Sequence, residues 1–433
     1  MNIVVVGGGR MGLPLACAFA KNGASVTVCD IDAALVEEIN CGDCPYEEPG
    51  LAELMQTLHR RGNLRASCDT TASVASAQAI IVIVPAHLTA DRDIDLSILH
   101  AASAAVGKGL RRGAIVIYET TIAVGGTRRH LIPVLEDESG MKAGSDFLVA
   151  YSPERVKANL VFARLEQTPK VVGGLDAASC ALVTHMYATY LRAPVRDVGS
   201  LEAAEMTKLL GMLYRDVNIA LANELAAFCE LAGVDFERVR VAANEDGEAN
   251  LLVPGIGVGG HCTPVYPYFL TRESRRLGMM QRLSEAAREI NDLQPSRQLD
   301  RIARFWGSLG GRRVHILGLG FRPSVKVDTF SPAYALRDDL QQHGAIVTLE
   351  DPYYSEVELK ALGFQPGTAR DAALVVLNTA HPEFGEPDFD AWRRGGVEVV
   401  LDGRNLWDQR KVEALDLLYF GIGRSCRLEF VRR

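Results

Sequence analysis

A chain of 433 residues is too long for one compact core, so two or three domains are expected. A formal charge of -8 with 23% charged residues offers no positive footprint for duplex nucleic acid or an anionic membrane, which leaves small molecules and copies of the same chain as partners. No run of about 18 uninterrupted apolar residues is present to span a bilayer, and nine cysteines without a regular framework fit a reducing compartment, the cytoplasm, better than a disulfide scaffold.

The apolar start, Met1 to Val6, runs straight into glycines with no basic segment or cleavage site, and so reads as a strand and not as a signal peptide. Short β-rich runs then alternate with helical periodicity: Ile3 to Val6, Ser25 to Cys29, Ala79 to Val84, Ala114 to Tyr118, Phe147 to Ala150 and Val171 to Val172. This alternation predicts a parallel sheet covered by helices. Cys41 and Cys44 form a lone CxxC with no second pair at zinc-ligand spacing, so two loop thiols and no metal are expected.

Residues 201–234 carry Leu, Met, Ala and Phe at helical spacing with no proline, which predicts one helix of roughly 45 to 50 Å at 1.5 Å per residue. Helical patterning continues to about Gly307, broken by a glycine-rich loop from Pro254 to Pro267. From Arg312 a second alternating segment runs through Val314 to Leu317, Ala345 to Leu349, Ala373 to Leu377 and Val397 to Leu401. The expected fold is α/β, with two Rossmann-like doubly wound parallel-sheet domains at 1–199 and 309–433, joined through a central helical region at 200–308. The glycine turns Gly7 to Gly12 and Gly318 to Gly320 point to related folds in the two α/β parts.

The first turn carries the most chemistry. Gly7, Gly9 and Gly12 stand in GxGxxG spacing between a strand and a helix that starts near Arg10, Met11 and Leu13. Glycine is needed there for a tight turn, for close approach of a pyrophosphate to the backbone, and for packing of helix on strand. The helix start offers N–H groups and a favourable dipole to phosphate. The next strand run ends in Asp30, eighteen positions after Gly12, where a carboxylate takes ribose hydroxyls and repels a 2'-phosphate; NAD is therefore expected over NADP. Val84 at the end of the third run, Pro85 after it, and Thr121 after the fourth complete the cofactor set at the carboxyl edge of the sheet.

Further along, Gly255-Ile-Gly-Val-Gly-Gly-His-Cys262 places a cysteine at the end of a loop able to bring backbone close to a ligand. A thiolate beside NAD adds to an aldehyde, and the resulting thiohemiacetal gives up a second hydride to become a thioester. His261, or a lysine brought in by folding, would lower the thiol pKa. Local pattern alone supports an inert turn cysteine equally well. Lys208 lies on an otherwise apolar stretch, Met206 to Leu213, where an unpaired ammonium is costly, and this favours a functional lysine.

The string GVGGHCTPVYPYFL at 257–270 resembles the catalytic cysteine segment of UDP-sugar 6-dehydrogenases in the UDP-glucose/GDP-mannose dehydrogenase family, especially the UDP-N-acetylmannosamine and UDP-N-acetylglucosamine branch. GGGRMGLPLA, YEEPGL, YETTIAVGGT, YSPER, AEMTKLL, RDVNIALANELA, HILGLGFRP, DPYY, DGRN and FGIGR follow in the same order along almost the whole chain. The resemblance implies NAD-dependent oxidation of a sugar C6 alcohol to a carboxylate, with Cys262 attacking the aldehyde, Lys208 handling the proton, and Thr121 and Glu154 arranging water. It implies a substrate site including Glu154, Lys208, Gly259, Tyr266 and Arg322, a nucleotide-sugar role for 309–433, and a homodimer paired through the long helix.

The chain departs from the family pattern around the substrate. Met212 stands where an oxyanion-stabilising asparagine is usual, and Tyr266 where an aspartate is usual. A thioether supplies almost no hydrogen bonding, and a phenol near pKa 10 is a poor base at neutral pH. Glu248 and Thr329 replace two arginines, and Ala86, Ala158 and Asn159 replace a threonine, a proline and a glycine. These changes imply an intact cofactor half and an altered substrate.

Overall fold

Asn2–Val6 (β1) has four consecutive buried apolar residues because helices cover both faces of the strand, as a parallel sheet demands. The computed structural model describes residues 1–46, 48–89, 92, 94–156 and 164–426, so Ala158 and Asn159 lie outside the described residues. Met1–Gly211 with Tyr268–Gly278 forms one unit, and Met212–Pro267 with Met279–Arg433 a second.

In the first unit the chain continues through Gly12–Lys21 (α1), Ser25–Cys29 (β2), Leu64–Ser67 (β3), Ala79–Val82 (β4), Ile115–Tyr118 (β5), Leu148–Tyr151 (β6), Lys170–Gly174 (β7), Ala177–Tyr190 (α2) and Val195–Asp197 (β8). The sheet order is β8-β7-β6-β5-β4-β1-β2-β3, parallel except where β6 and β7 run antiparallel. Val4 pairs with Thr27 on one side and Ile80 on the other. The strand order reverses between β1 and β4, so their carboxyl ends flank the crevice where open α/β sheets bind ligands. All six strand runs expected in this part form strands. Two strands of this sheet were not anticipated, β3 and β8, because arginine or aspartate interrupts them and no apolar run marks them; nor was the separate two-stranded pair of His87–Leu88 with Ile94–Asp95.

Leu201–Ala232 (α3) is a single helix of 32 residues, about 48 Å long, stopped where Gly233 turns to φ +76°. Tyr214, Leu221, Leu225, Phe228 and Leu231 recur on it at spacings of three, four and seven, and all are exposed. The second unit adds Tyr266–Arg276 (α4), whose first two residues belong to it, then Arg282–Trp306 (α5). Its sheet comprises Arg313–Leu317 (β9), Ile346–Glu350 (β10), Leu374–Leu377 (β11), Val399–Asp402 (β12) and Leu418–Gly421 (β13), in order β10-β9-β11-β12-β13 and parallel throughout.

A buried polar chain ties α3 to α5. Asp216 Oδ1 accepts Arg288 Nη1 at 2.5 Å and Asn291 Nδ2 at 2.9 Å; Asn223 Nδ2 donates to Asn291 Oδ1 at 3.0 Å; and Asn223 Oδ1 accepts the Gly255 N–H at 3.0 Å. Gln294 Nε2 donates to the Gly255 carbonyl at 3.1 Å. The start of the cysteine loop is thus held from two helices.

Candidate active site

At the first glycine turn sterics explain two of the three glycines. Gly7 has φ +107°, and a Cβ there would sit 3.0 Å from the Ile83 carbonyl oxygen; a Cβ on Gly12 would lie 1.9 Å from the Gly7 oxygen. A Cβ on Gly9 would meet no protein atom within 4 Å, so the space beside it is open to a ligand. No side chain caps the start of α1, whose N-cap is Met11. Asp30 Oδ2 accepts the Gly8 N–H at 2.7 Å and Oδ1 accepts the Asp32 N–H at 3.1 Å. Each carboxylate oxygen has two lone pairs, so acceptor capacity remains for ribose hydroxyls. The guanidinium of Arg10 lies over the Tyr46 ring at 5.5 Å. The Val84 carbonyl accepts the Thr120 hydroxyl, which pins the Val84-Pro85 segment to the end of β5. These residues fit a nicotinamide dinucleotide.

Beyond the ends of β5 and β6 lies a buried ionic cluster. Glu154 Oε1 accepts the N–H groups of Arg155 and Val156, both at 2.6 Å, and Oε2 pairs with Lys170 Nζ at 3.1 Å. Lys170 Nζ also pairs with Glu119 Oε2 at 2.7 Å, while Tyr187 donates its hydroxyl to Glu119 Oε1 at 2.6 Å. Burial alone would raise the Glu154 carboxyl, but the Lys170 cation and the two backbone N–H groups outweigh it and hold the group below the usual carboxylate range. Glu119 goes the other way: burial pushes it up despite Lys170. Lys208 Nζ donates to the Glu154 carbonyl at 2.7 Å. Thr121 is buried at the same sheet edge.

The structure thus brings together Glu154, which sequence reasoning placed only by motif, and Lys208, 54 positions away. It adds Lys170, Glu119 and Tyr187, which that reasoning missed. The available signal was a lysine heading the strand KVVGG, every residue of which is buried.

In the second unit the loop leading to Cys262 lies against the second glycine turn. A Cβ on Gly259 would fall 2.4 Å from Phe321 Cβ, one on Gly257 2.9 Å from Pro332, and one on Gly255 2.8 Å from Arg404 Nη1. The Gly260 N–H donates to the Thr329 carbonyl at 2.8 Å, so the position that lacks an arginine still holds this loop by its main chain. Cys262 is half-buried, and its carbonyl accepts the N–H of Tyr266 at 2.9 Å. Arg322 lies over Phe321, and its buried Nε has no hydrogen-bond partner among the described residues. Glu248 is exposed.

The second glycine turn repeats the logic of the first. Asp351 Oδ2 accepts the N–H groups of Leu319 at 2.7 Å and Gly320 at 3.1 Å, as Asp30 does for Gly8. It also pairs with His381 Nε2 at 3.2 Å.

A doubly wound sheet with a GxGxxG turn at its switch point and an acid closing its second strand defines a dinucleotide-binding oxidoreductase. Residues 1–191 match the NAD binding domain of the UDP-glucose/GDP-mannose dehydrogenase family, 202–293 its central domain, and 315–409 its UDP binding domain. The chain belongs to that family, and it is an NAD-dependent oxidoreductase of the nucleotide-sugar dehydrogenase type. It is 31% identical over 425 residues to the NDP-N-acetyl-D-galactosaminuronic acid dehydrogenase of Ralstonia solanacearum, covering 95% of this chain and 98% of that one. The UDP-N-acetyl-D-mannosamine dehydrogenase of Escherichia coli K12 is 30% identical, with 94% and 99% covered. The solved UDP-D-ManNAc dehydrogenase of Pyrococcus horikoshii superposes with a TM-score of 0.87 at 29% identity, covering 98% and 99%. Among the described residues no helix is long and apolar enough to cross a membrane.

Proposed function

We propose that the protein oxidises the C6 primary alcohol of a UDP-N-acetylhexosamine, or of a UDP-hexose, to a carboxylate in the cytoplasm. The observation that carries this reading is Lys208 seated on the main chain of Glu154 at the carboxyl edge of the NAD-binding sheet. The names of the relatives support an N-acetylated sugar. NAD, when bound along Gly7, Gly9, Arg10, Met11 and Gly12 with Asp30, Val84, Pro85 and Thr121, would accept one hydride per molecule, so that the two oxidations consume two NAD in turn.

Lys208 takes the alcohol proton as the first carbonyl forms. The Cys262 thiolate then adds to the aldehyde carbon, making a C–S bond and a thiohemiacetal whose oxidation gives a thioester. Water placed by Thr121 and Glu154 attacks the thioester, the C–S bond breaks, and the thiol is restored. Gly259, Tyr266 and Arg322 contribute to the sugar and phosphate site. In this reading 1–199 holds NAD, 200–308 carries the cysteine loop, and 309–433 receives the nucleotide sugar.

The direct test incubates purified protein with NAD and a panel of UDP-hexoses and UDP-N-acetylhexosamines. The expected result is two NADH per carboxylate, read by absorbance and mass spectrometry; no NADH from any member overturns the reading. A second reading rests on Met212 and Tyr266: the reaction stops after two electrons, giving one NADH and free aldehyde. Five exposed apolar residues along 214–231 of α3 would be a liability in a monomer, so the chain is proposed to pair through them as a homodimer. Light scattering should give a mass near twice 47.0 kDa, and a strict monomer would refute it.

A further inference from the structure

Lys170 has no place in the chemistry above, yet it is buried on β7 with two carboxylates on one ammonium, Glu119 at 2.7 Å and Glu154 at 3.1 Å. A lone buried cation here would be strongly disfavoured, and so would either carboxylate without it. The two carboxylates are not equivalent. Glu119 has one further donor, the Tyr187 hydroxyl, whereas Glu154 has two backbone N–H groups on its other oxygen. Lys170 also faces the Tyr187 ring at 5.1 Å. Among the described residues, the other charged neighbours of Glu154 are Lys208, bound to its carbonyl, and Arg155, whose side chain turns away to the Pro169 carbonyl.

We infer that Lys170 is a positioning residue of the active site, fixing one oxygen of Glu154 and keeping that group an acceptor, so that Glu154 meets water as a carboxylate and not as an acid. The inference rests on the role proposed for Glu154. Its physical basis is separate: with two N–H groups on Oε1 and an ammonium on Oε2, the carboxylate cannot rotate without losing a charged contact. Glu119, pushed up by burial, is the partner that would accept a proton first, which leaves Lys170 committed to Glu154.

The sign of the pH effect follows. A depressed Glu154 keeps the site active as pH falls, until Glu154 protonates. Removing the cation raises its proton affinity, and the acidic limb moves to higher pH.

The test compares wild type, Lys170→Met, Lys170→Arg and Glu119→Gln with NAD and UDP-N-acetyl-D-mannosamine, alongside the carboxyl titration of Glu154 followed by carbon-13 NMR of glutamate-labelled protein. In Lys170→Met the acidic limb of kcat and the Glu154 titration should both shift upward by a factor of at least ten in proton concentration, with KM for NAD little changed. Lys170→Arg should return both most of the way to their wild-type positions, and Glu119→Gln should leave the Glu154 titration in place, because Glu119 has already taken its proton when Glu154 titrates. Unchanged titration and limb in folded Lys170→Met overturn the inference; should that variant not fold, a wild-type Glu154 that titrates at or above the usual carboxylate range does so. Wild type that makes no NADH while the carboxyl titration moves as stated sinks the substrate reading and leaves the role of Lys170 standing.

Discussion

Replacing Cys262 by alanine is expected to lower carboxylate formation by about a thousandfold or more, because no other group in its loop can form the covalent bond that carries the second oxidation. The covalent role proposed for Cys262 calls for a thiol on a fixed chain path. Gly255, Gly257 and Gly259 are each so tightly walled that an added methyl would meet a neighbour within 3 Å, and this fixes the path of the chain into a half-buried Cys262. Affinity for NAD should stay within about twofold of wild type, since the dinucleotide turn belongs to the other unit and its contacts are untouched. Mass spectrometry of the products decides the matter: carboxylate made at the wild-type rate by Cys262→Ala would end the covalent mechanism.

Asp216→Ala should give the largest loss of stability. Asp216 is fully buried and holds Arg288, itself buried, and Asn291. Removing one partner of such a pair strands a buried charge and costs about 3–5 kcal/mol, against a gain of at most about 0.7 kcal/mol in helix propensity on the change to alanine. Asp292 also pairs with Arg288, but its side chain is 40% exposed, so water weakens its compensation. At about 2–4 °C per kcal/mol for a unit of this size, the melting transition should fall by about 6–20 °C. Asp216→Asn should lose less, because the amide keeps a hydrogen bond to its neighbours. A melting point for Asp216→Ala within a degree of wild type would show that the chain from Asp216 to Gly255 stabilises nothing.

The dinucleotide site was legible because it is local. Gly7, Gly9, Gly12 and Asp30 fall within one strand, one turn, one helix and the residue that ends the next strand, and the spacing shows along the chain even though the wall against Gly7 is the distant Ile83 and Gly9 faces open space. The strands from Ile3 to Val172 and from Val314 to Leu401 were likewise visible, since a strand buried on both faces must be an apolar run. Leu64–Ser67 and Val195–Asp197 escaped because charged or polar residues break their apolar pattern, whereas Leu418–Gly421, an apolar run as long as Leu374–Leu377, carried the signal and was not expected.

By itself, then, the sequence determined what depends on near neighbours along the chain: the parallel sheets, the long helix from Leu201 and the NAD turn. Only the tertiary structure decided which charges meet. Lys170 reaches Glu119 across 51 positions, Tyr187 reaches Glu119 across 68, and Arg288 reaches Asp216 across 72. The energy of such pairs depends on separation and on exclusion of water, and sheet order and helix packing set both, whereas residue spacing sets neither.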